Sequence, residues 1–135
     1  LGAFTATYFL GFIPGVTQIS ISGIFDFMGG ALAEFLGTFA LVWVVLHTAT
    51  ATDIKGNSFY GLAIGFTIMS SAYGLGGITG GEFNPAVAVG ISTIGMTTWD
   101  NILAFLLGQL LAGVAAAFVF KYVTGDPLKT NENGK

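Results

Sequence analysis

An all-α membrane protein, built from three spanning helices and one half-spanning helix, is what this sequence predicts, and three observations carry the prediction. Of 135 residues, 53% are hydrophobic and 8% charged, against roughly 25% charged in soluble domains, and the mean hydropathy is +0.81. The charges stand far apart: Glu34 and Asp53 bracket 18 uncharged residues, Lys55 and Glu82 bracket 26, and Asp100 and Lys121 bracket 20. Each gap is long enough to cross a hydrocarbon core of about 30 Å at about 1.5 Å per residue. Between the second and third spans, glycine-rich sequence runs into Asn84-Pro85, which a continuous helix does not accommodate.

Composition also excludes whole classes. Four Lys, no Arg and a net charge of −3 leave no basic footprint for nucleic acid. Without Cys there is no disulfide framework, thiolate nucleophile or zinc–thiolate site. One His, no G-x-S-x-G turn and no pair of acids at useful helical spacing leave an enzyme without its parts, so no catalytic residue, metal site or cofactor is expected.

In chain order, residues 1–12 are apolar but short and are expected to be the tail of a preceding transmembrane helix. Residues 13–28 mix Pro, Gly, Ser and Asp with apolar residues and form a connecting loop. Spanning helices follow near 29–51, 58–76 and 101–122, and residues 124–135 form a polar C-terminal tail. Gly61 and Gly65 are spaced for close helix approach, as are Gly108, Ala112 and Ala116. Trp99, beside Asp100, is the clearest interfacial anchor, with Trp43 and Tyr122 as further candidates. His47, at a helix end with no second ligand, is expected to be satisfied locally or interfacial.

Residues 74–95 break the pattern. Five glycines precede Asn84-Pro85, and a short apolar stretch follows. Pro85 suits the first position of a new helix, with Asn84 as its cap. A helix from Pro85 to about Gly95 covers roughly half the hydrocarbon thickness, so it starts near the midplane. Irregular backbone at that depth, expected over 77–83, is tolerated only where protein buries it or water reaches it. The helix start presents free N–H groups, and the Asn84 amide adds donors for a passing oxygen. Two acids stand out. Glu34 opens a membrane helix, where a carboxylate is costly unless partnered or solvated. Glu82 either faces a lumen or packs as a protonated acid.

The string Gly80-Gly81-Glu82-Phe83-Asn84-Pro85-Ala86-Val87 resembles the aquaporin, or major intrinsic protein, family. So do Ala33-Glu34-Phe35-Leu36-Gly37-Thr38-Phe39, Gly61-Leu62-Ala63-Ile64-Gly65-Phe66 and the order of the helices. The family fold is two inverted repeats with two half-helices meeting at the midplane, and this chain resembles one of them, over residues 29–123 with the half-helix at 84–95. The resemblance implies a passive channel for water or small neutral solutes such as glycerol, urea or ammonia. Asn84, Pro85 and Ala86 would be its pore motif, and Gly80, Gly81, Glu82 and Phe83 would supply the backbone of the pore loop. Glu34 would be a structural buried acid accepting loop N–H groups, and the selectivity constriction falls on Ala72, Gly81 and Val87. All three are small or apolar, whereas water-specific members carry a His and an Arg.

One repeat leaves a wall missing. The lipid bilayer and a second half-repeat, from the same longer chain or a second subunit, are therefore the expected partners, within an oligomer. The alternative is a non-conducting structural subunit of a larger membrane complex. If both flanking helices cross fully, Lys55, Lys121, Lys129 and Lys135 share one face, cytoplasmic by the positive-inside rule. That puts the C-terminal tail in the cytoplasm and matches the family's second repeat, as does His47-Thr48-Ala49-Thr50-Ala51-Thr52-Asp53. Gln109 and the lack of Arg after Ala86 resemble a first repeat instead.

Overall fold

The computed structural model describes residues 25–125, together with Gly2 and Thr5. Among these, α1 is Phe27–Val45, extended by a π-helical turn, Leu46–Thr50; α2 is Tyr60–Thr79; α3 is Pro85–Thr93; and α4 is Ile102–Thr124, entered through a 3₁₀ turn, Trp99–Asn101. Three stretches, Phe27–Thr50, Tyr60–Thr79 and Trp99–Thr124, are long and apolar enough to cross a membrane. Apart from Gly2 and Thr5, the helix tail expected at 1–12, the loop up to residue 24 and the polar tail from residue 126 lie outside the described residues.

α1 begins at Phe27, ahead of the expected residue 29, because Asp26 caps it. Its backbone is extended (φ −61°, ψ 128°), and its Oδ2 accepts the Gly29 N–H at 2.8 Å. The core is the seam between α1 and α4, the most extensive helix pair. Small residues are buried along both helices: Ala33 on α1, and Gly108, Ala112 and Ala116 on α4, while Gly30 and Gly37 of α1 are covered by the Phe25 and Phe83 rings. A Cβ added to Gly108 would fall 2.4 Å from the Ala31 carbonyl oxygen, so glycine is what lets the two backbones approach. At the far end of α1, His47 Nδ1 is 2.9 Å from the Trp43 carbonyl oxygen. Its ring lies 4.2 Å from that of Trp43 and edge-on to Phe120 at 4.9 Å, which ties α1 to α4. No cluster of metal-ligating side chains occurs among the described residues.

The α1–α2 connection is organised by Asn57. Its Nδ2 donates to the Thr48 and Ile54 carbonyls at 2.7 and 2.9 Å. Its Oδ1 accepts the Phe59 and Tyr60 N–H groups at 3.2 and 2.9 Å, capping α2. α2 then runs to Thr79, past the expected end at 76, so the irregular backbone expected over 77–83 begins only at Gly80. Gly76 and Gly77 stay helical because, in an apolar medium, an unmade backbone hydrogen bond costs more than the roughly 1 kcal/mol glycine penalty. The helix stops at Gly80, which is left-handed (φ 102°) and donates its N–H to Gly76. Gly61 and Gly65, expected at a close helix contact, have nothing within 4 Å of an added Cβ among the described residues. They lie on an open apolar groove with Leu62, Phe66 and Met69.

Candidate functional site

The break between α2 and α3 is the candidate site. Asn84 is extended (φ −154°, ψ 124°), and its Oδ1 accepts the Ala86 N–H at 2.9 Å. Pro85 takes the first helical position, where its missing N–H and fixed φ cost nothing. With its oxygen used as the cap, the amide nitrogen of this exposed residue keeps its two donors for whatever lies in front of it. α3 has nine residues, about 14 Å, or close to half a bilayer core. It ends at Thr93 rather than the expected residue 95 in a Schellman turn. Met96 N–H bonds the Ile91 carbonyl at 2.9 Å and Gly95 N–H the Ser92 carbonyl at 3.2 Å, with Gly95 at φ 77°.

The loop before Asn84 is held by Glu34, which is fully buried on α1. Its Oε1 accepts the Thr79 hydroxyl at 2.5 Å and the Glu82 N–H at 3.3 Å. Its Oε2 accepts the Phe83 N–H at 2.8 Å and Gln109 Nε2 at 2.7 Å. One carboxylate thus satisfies two loop N–H groups that would otherwise lack partners, and it is fixed by donors from α2 and α4. Thr79 also accepts the Gly81 N–H at 3.2 Å. Phe83 adopts a left-handed conformation (φ 46°) rare outside glycine. Its ring is buried against Gly37, where an added Cβ would sit 2.1 Å from Cε1.

Of the candidate constriction residues, Gly81 lies against α2: an added Cβ would meet Ala72 Cα at 3.3 Å and Gly76 Cα at 3.5 Å, and its φ is 78°. Val87 stands on the open side of α3 and is 44% exposed. Ala86 is exposed beside it. The Glu82 side chain is buried, at 7% exposure. A cavity of about 360 Å³ opens between α1, the loop and α4, with Thr38, Asn84 and Gln109 set among Leu41, Val42 and Leu110. Here polar groups are sparse and the walls apolar, as in sites that orient small molecules with few hydrogen bonds.

A match to the family model described as major intrinsic protein extends over residues 22–134, taking in every helix above. The chain belongs to the major intrinsic protein family. It is 36% identical over 104 residues to aquaporin NIP1-4 of Oryza sativa subsp. japonica, covering 75% of this chain and 38% of that protein. Aquaporin Z of Brucella melitensis is 39% identical over 92 residues, 64% of this chain and 40% of that protein. Glycerol uptake facilitator protein-like 6 of Lactiplantibacillus plantarum is 41% identical over 91 residues, 67% of this chain and 41% of that protein. The chain therefore spans about two fifths of the length of the curated relatives it matches. No solved structure matches it significantly. With its three apolar spans, this major intrinsic protein is an integral membrane protein.

Thr79 and the Phe83–Gly37 contact were not anticipated from the sequence. Gln109 stood out there only for its bearing on which repeat this is. A polar side chain at mid-helix in an apolar run is the signal that marks Gln109. Thr79 looks like an ordinary turn residue ahead of Gly80-Gly81, and nothing local gives it away.

Proposed function

We propose that this chain forms one half of a passive transmembrane channel for water or small neutral solutes, completed by a second half-repeat from the same longer polypeptide or from another subunit. The observation that carries this reading is the pairing of Glu34 with the Glu82 and Phe83 N–H groups at the head of a half-length helix. That pairing turns a strand of irregular backbone into a fixed feature at membrane depth, with the Asn84 amide facing out. In this reading the loop carbonyls of Gly80 to Phe83 and the Asn84 donors replace part of the shell of a passing molecule. The N-terminal dipole of α3 opposes cations. The relatives, named aquaporins and a glycerol uptake facilitator, agree with such cargo.

Ala72, Gly81 and Val87 form the constriction in this proposal. Lacking a fixed cation, they favour relaxed selectivity that admits glycerol, urea or ammonia. The C-terminal tail lies in the cytoplasm with Lys55 and Lys121, and the assembled channel is an oligomer. The test is swelling of liposomes that hold the complete assembly in an osmotic gradient of water, glycerol or urea. Permeability above that of empty liposomes, lowered by Asn84→Asp, supports conduction. Background permeability in a folded assembly assigns the chain to the structural role instead.

A further inference from the structure

The acid two residues before Asn84 is not used by the mechanism above, and its surroundings are unusual. Glu82 is 7% exposed, and both of its carboxyl oxygens are enclosed without a hydrogen-bond partner among the described residues. Its own backbone N–H is 3.3 Å from Glu34 Oε1, so two carboxyl groups share one small region of the interior and act on each other electrostatically. Glu34 is committed. Each of its oxygens already accepts two hydrogen bonds, so it is the acceptor of the pair. The side chains that reach it from α2 and α4 are Thr79 and Gln109, neither of which ionises. α3 contains no ionisable residue at all. Among the described residues the Glu82 carboxyl oxygens have no partner, and Glu34 is the ionisable group beside it.

A second naked carboxylate in that place would have neither a donor nor a counter-ion, the arrangement that costs most in a low-dielectric interior. We propose that Glu82 is a proton-binding site built into the loop. Its carboxyl group takes up one proton from water as the loop folds, forming an O–H bond, and holds it as a neutral acid beside the Glu34 carboxylate. A pair that carries one negative charge keeps the loop closed on α1. Loss of the proton sets two like charges side by side with no donors for the second, and drives Glu82 out of its site. The proposal rests on the loop geometry and not on conduction, so it stands or falls separately from the channel reading.

Infrared spectroscopy of the complete protein in phosphatidylcholine vesicles tests it. At neutral pH, where an exposed glutamate with a pKa of about 4.3 is ionised, the wild type should show the carbonyl stretch of a protonated carboxylic acid. That band should shift when glutamate is labelled with ¹³C at its side-chain carboxyl, disappear in Glu82→Gln and persist in Asp26→Asn. Absence of the band in the wild type, or its survival in Glu82→Gln, overturns the proposal. If Glu82→Gln does not assemble, Glu82→Asp decides: the band should then stop following ¹³C-glutamate and follow ¹³C-aspartate instead, and a band that still follows the glutamate label overturns the assignment.

Discussion

The Phe83 ring occupies the space that Gly37 leaves open on α1, and a methyl group added at Gly37 would meet three of its ring carbons at 2.1 to 2.7 Å. The ring cannot simply swing aside, because it is 2% exposed and its backbone is already left-handed. Gly37→Ala should therefore destabilise the fold by about 1–3 kcal/mol, as overpacked cores do. Phe83→Leu in the same background should recover part of the loss. Thermal unfolding in detergent checks both, and additive losses would show that the contact is not the cause.

Glu34→Gln tests the hub of the loop. If the new amide nitrogen faces the Oε1 side, Thr79 can rotate its hydroxyl to accept, but the Glu82 N–H is orphaned. If it faces the Oε2 side, Gln109 can flip its amide to accept, but the Phe83 N–H is orphaned. Either way one buried backbone donor is lost, a cost of about 1–3 kcal/mol. Backbone amide exchange at Glu82 or Phe83 should accelerate, while exchange in the middle of α4 should not.

Thr79 offers a finer test, since its hydroxyl donates to Glu34 and accepts from Gly81. Thr79→Ser should stay close to wild type, and Thr79→Val should lose about 1–2 kcal/mol of stability. The two variants are compared by midpoint of thermal unfolding. The reverse order, with Thr79→Ser the less stable of the two, would mean that the methyl group, not the hydroxyl, matters there.

Sidedness is open to labelling, since the sequence has no Cys to give background. Asn57 makes four hydrogen bonds that organise the α1–α2 turn, so the neighbouring exposed Ser58 is the better probe. In intact cells, cysteine at Ser58 or Asn133 should resist an impermeant thiol reagent, and cysteine at Gln18 should react. The opposite pattern would assign the chain to the family's first repeat.

Selectivity is tested at Val87. In the complete channel, Val87→Arg adds bulk and a fixed charge on the open side of α3. Glycerol and urea flux should fall more than water flux, measured by stopped-flow light scattering. Equal loss of all three, or strict water selectivity before mutation, would remove Val87 from the constriction.

The start of α3 was legible because proline chemistry is local: Pro85 lacks an N–H and Asn84 is a strong cap, whatever surrounds them. The need for partners at Glu34 was legible from cost alone. The end of α2 was not, because Gly74, Gly76 and Gly77 look like breakers until the apolar surroundings are weighed against their entropy. The positive φ of Phe83 was also hidden, since it is sustained by a distant glycine, 46 positions earlier in the chain. Gly61 and Gly65 carry the spacing of a helix contact, but spacing names no partner, and within this chain their groove stays open.

The four donors gathered by Glu34 also impose an order of events during synthesis. Thr79, Glu82 and Phe83 leave the ribosome after Glu34 and can reach it as soon as α2 has entered the bilayer. Gln109 follows 26 residues behind Phe83 and arrives only once α4 has been inserted. Until then the carboxylate lacks one donor and the α1 seam lacks its opposite face. The set of donors around Glu34 is thus completed last, by a helix that follows the loop in the chain.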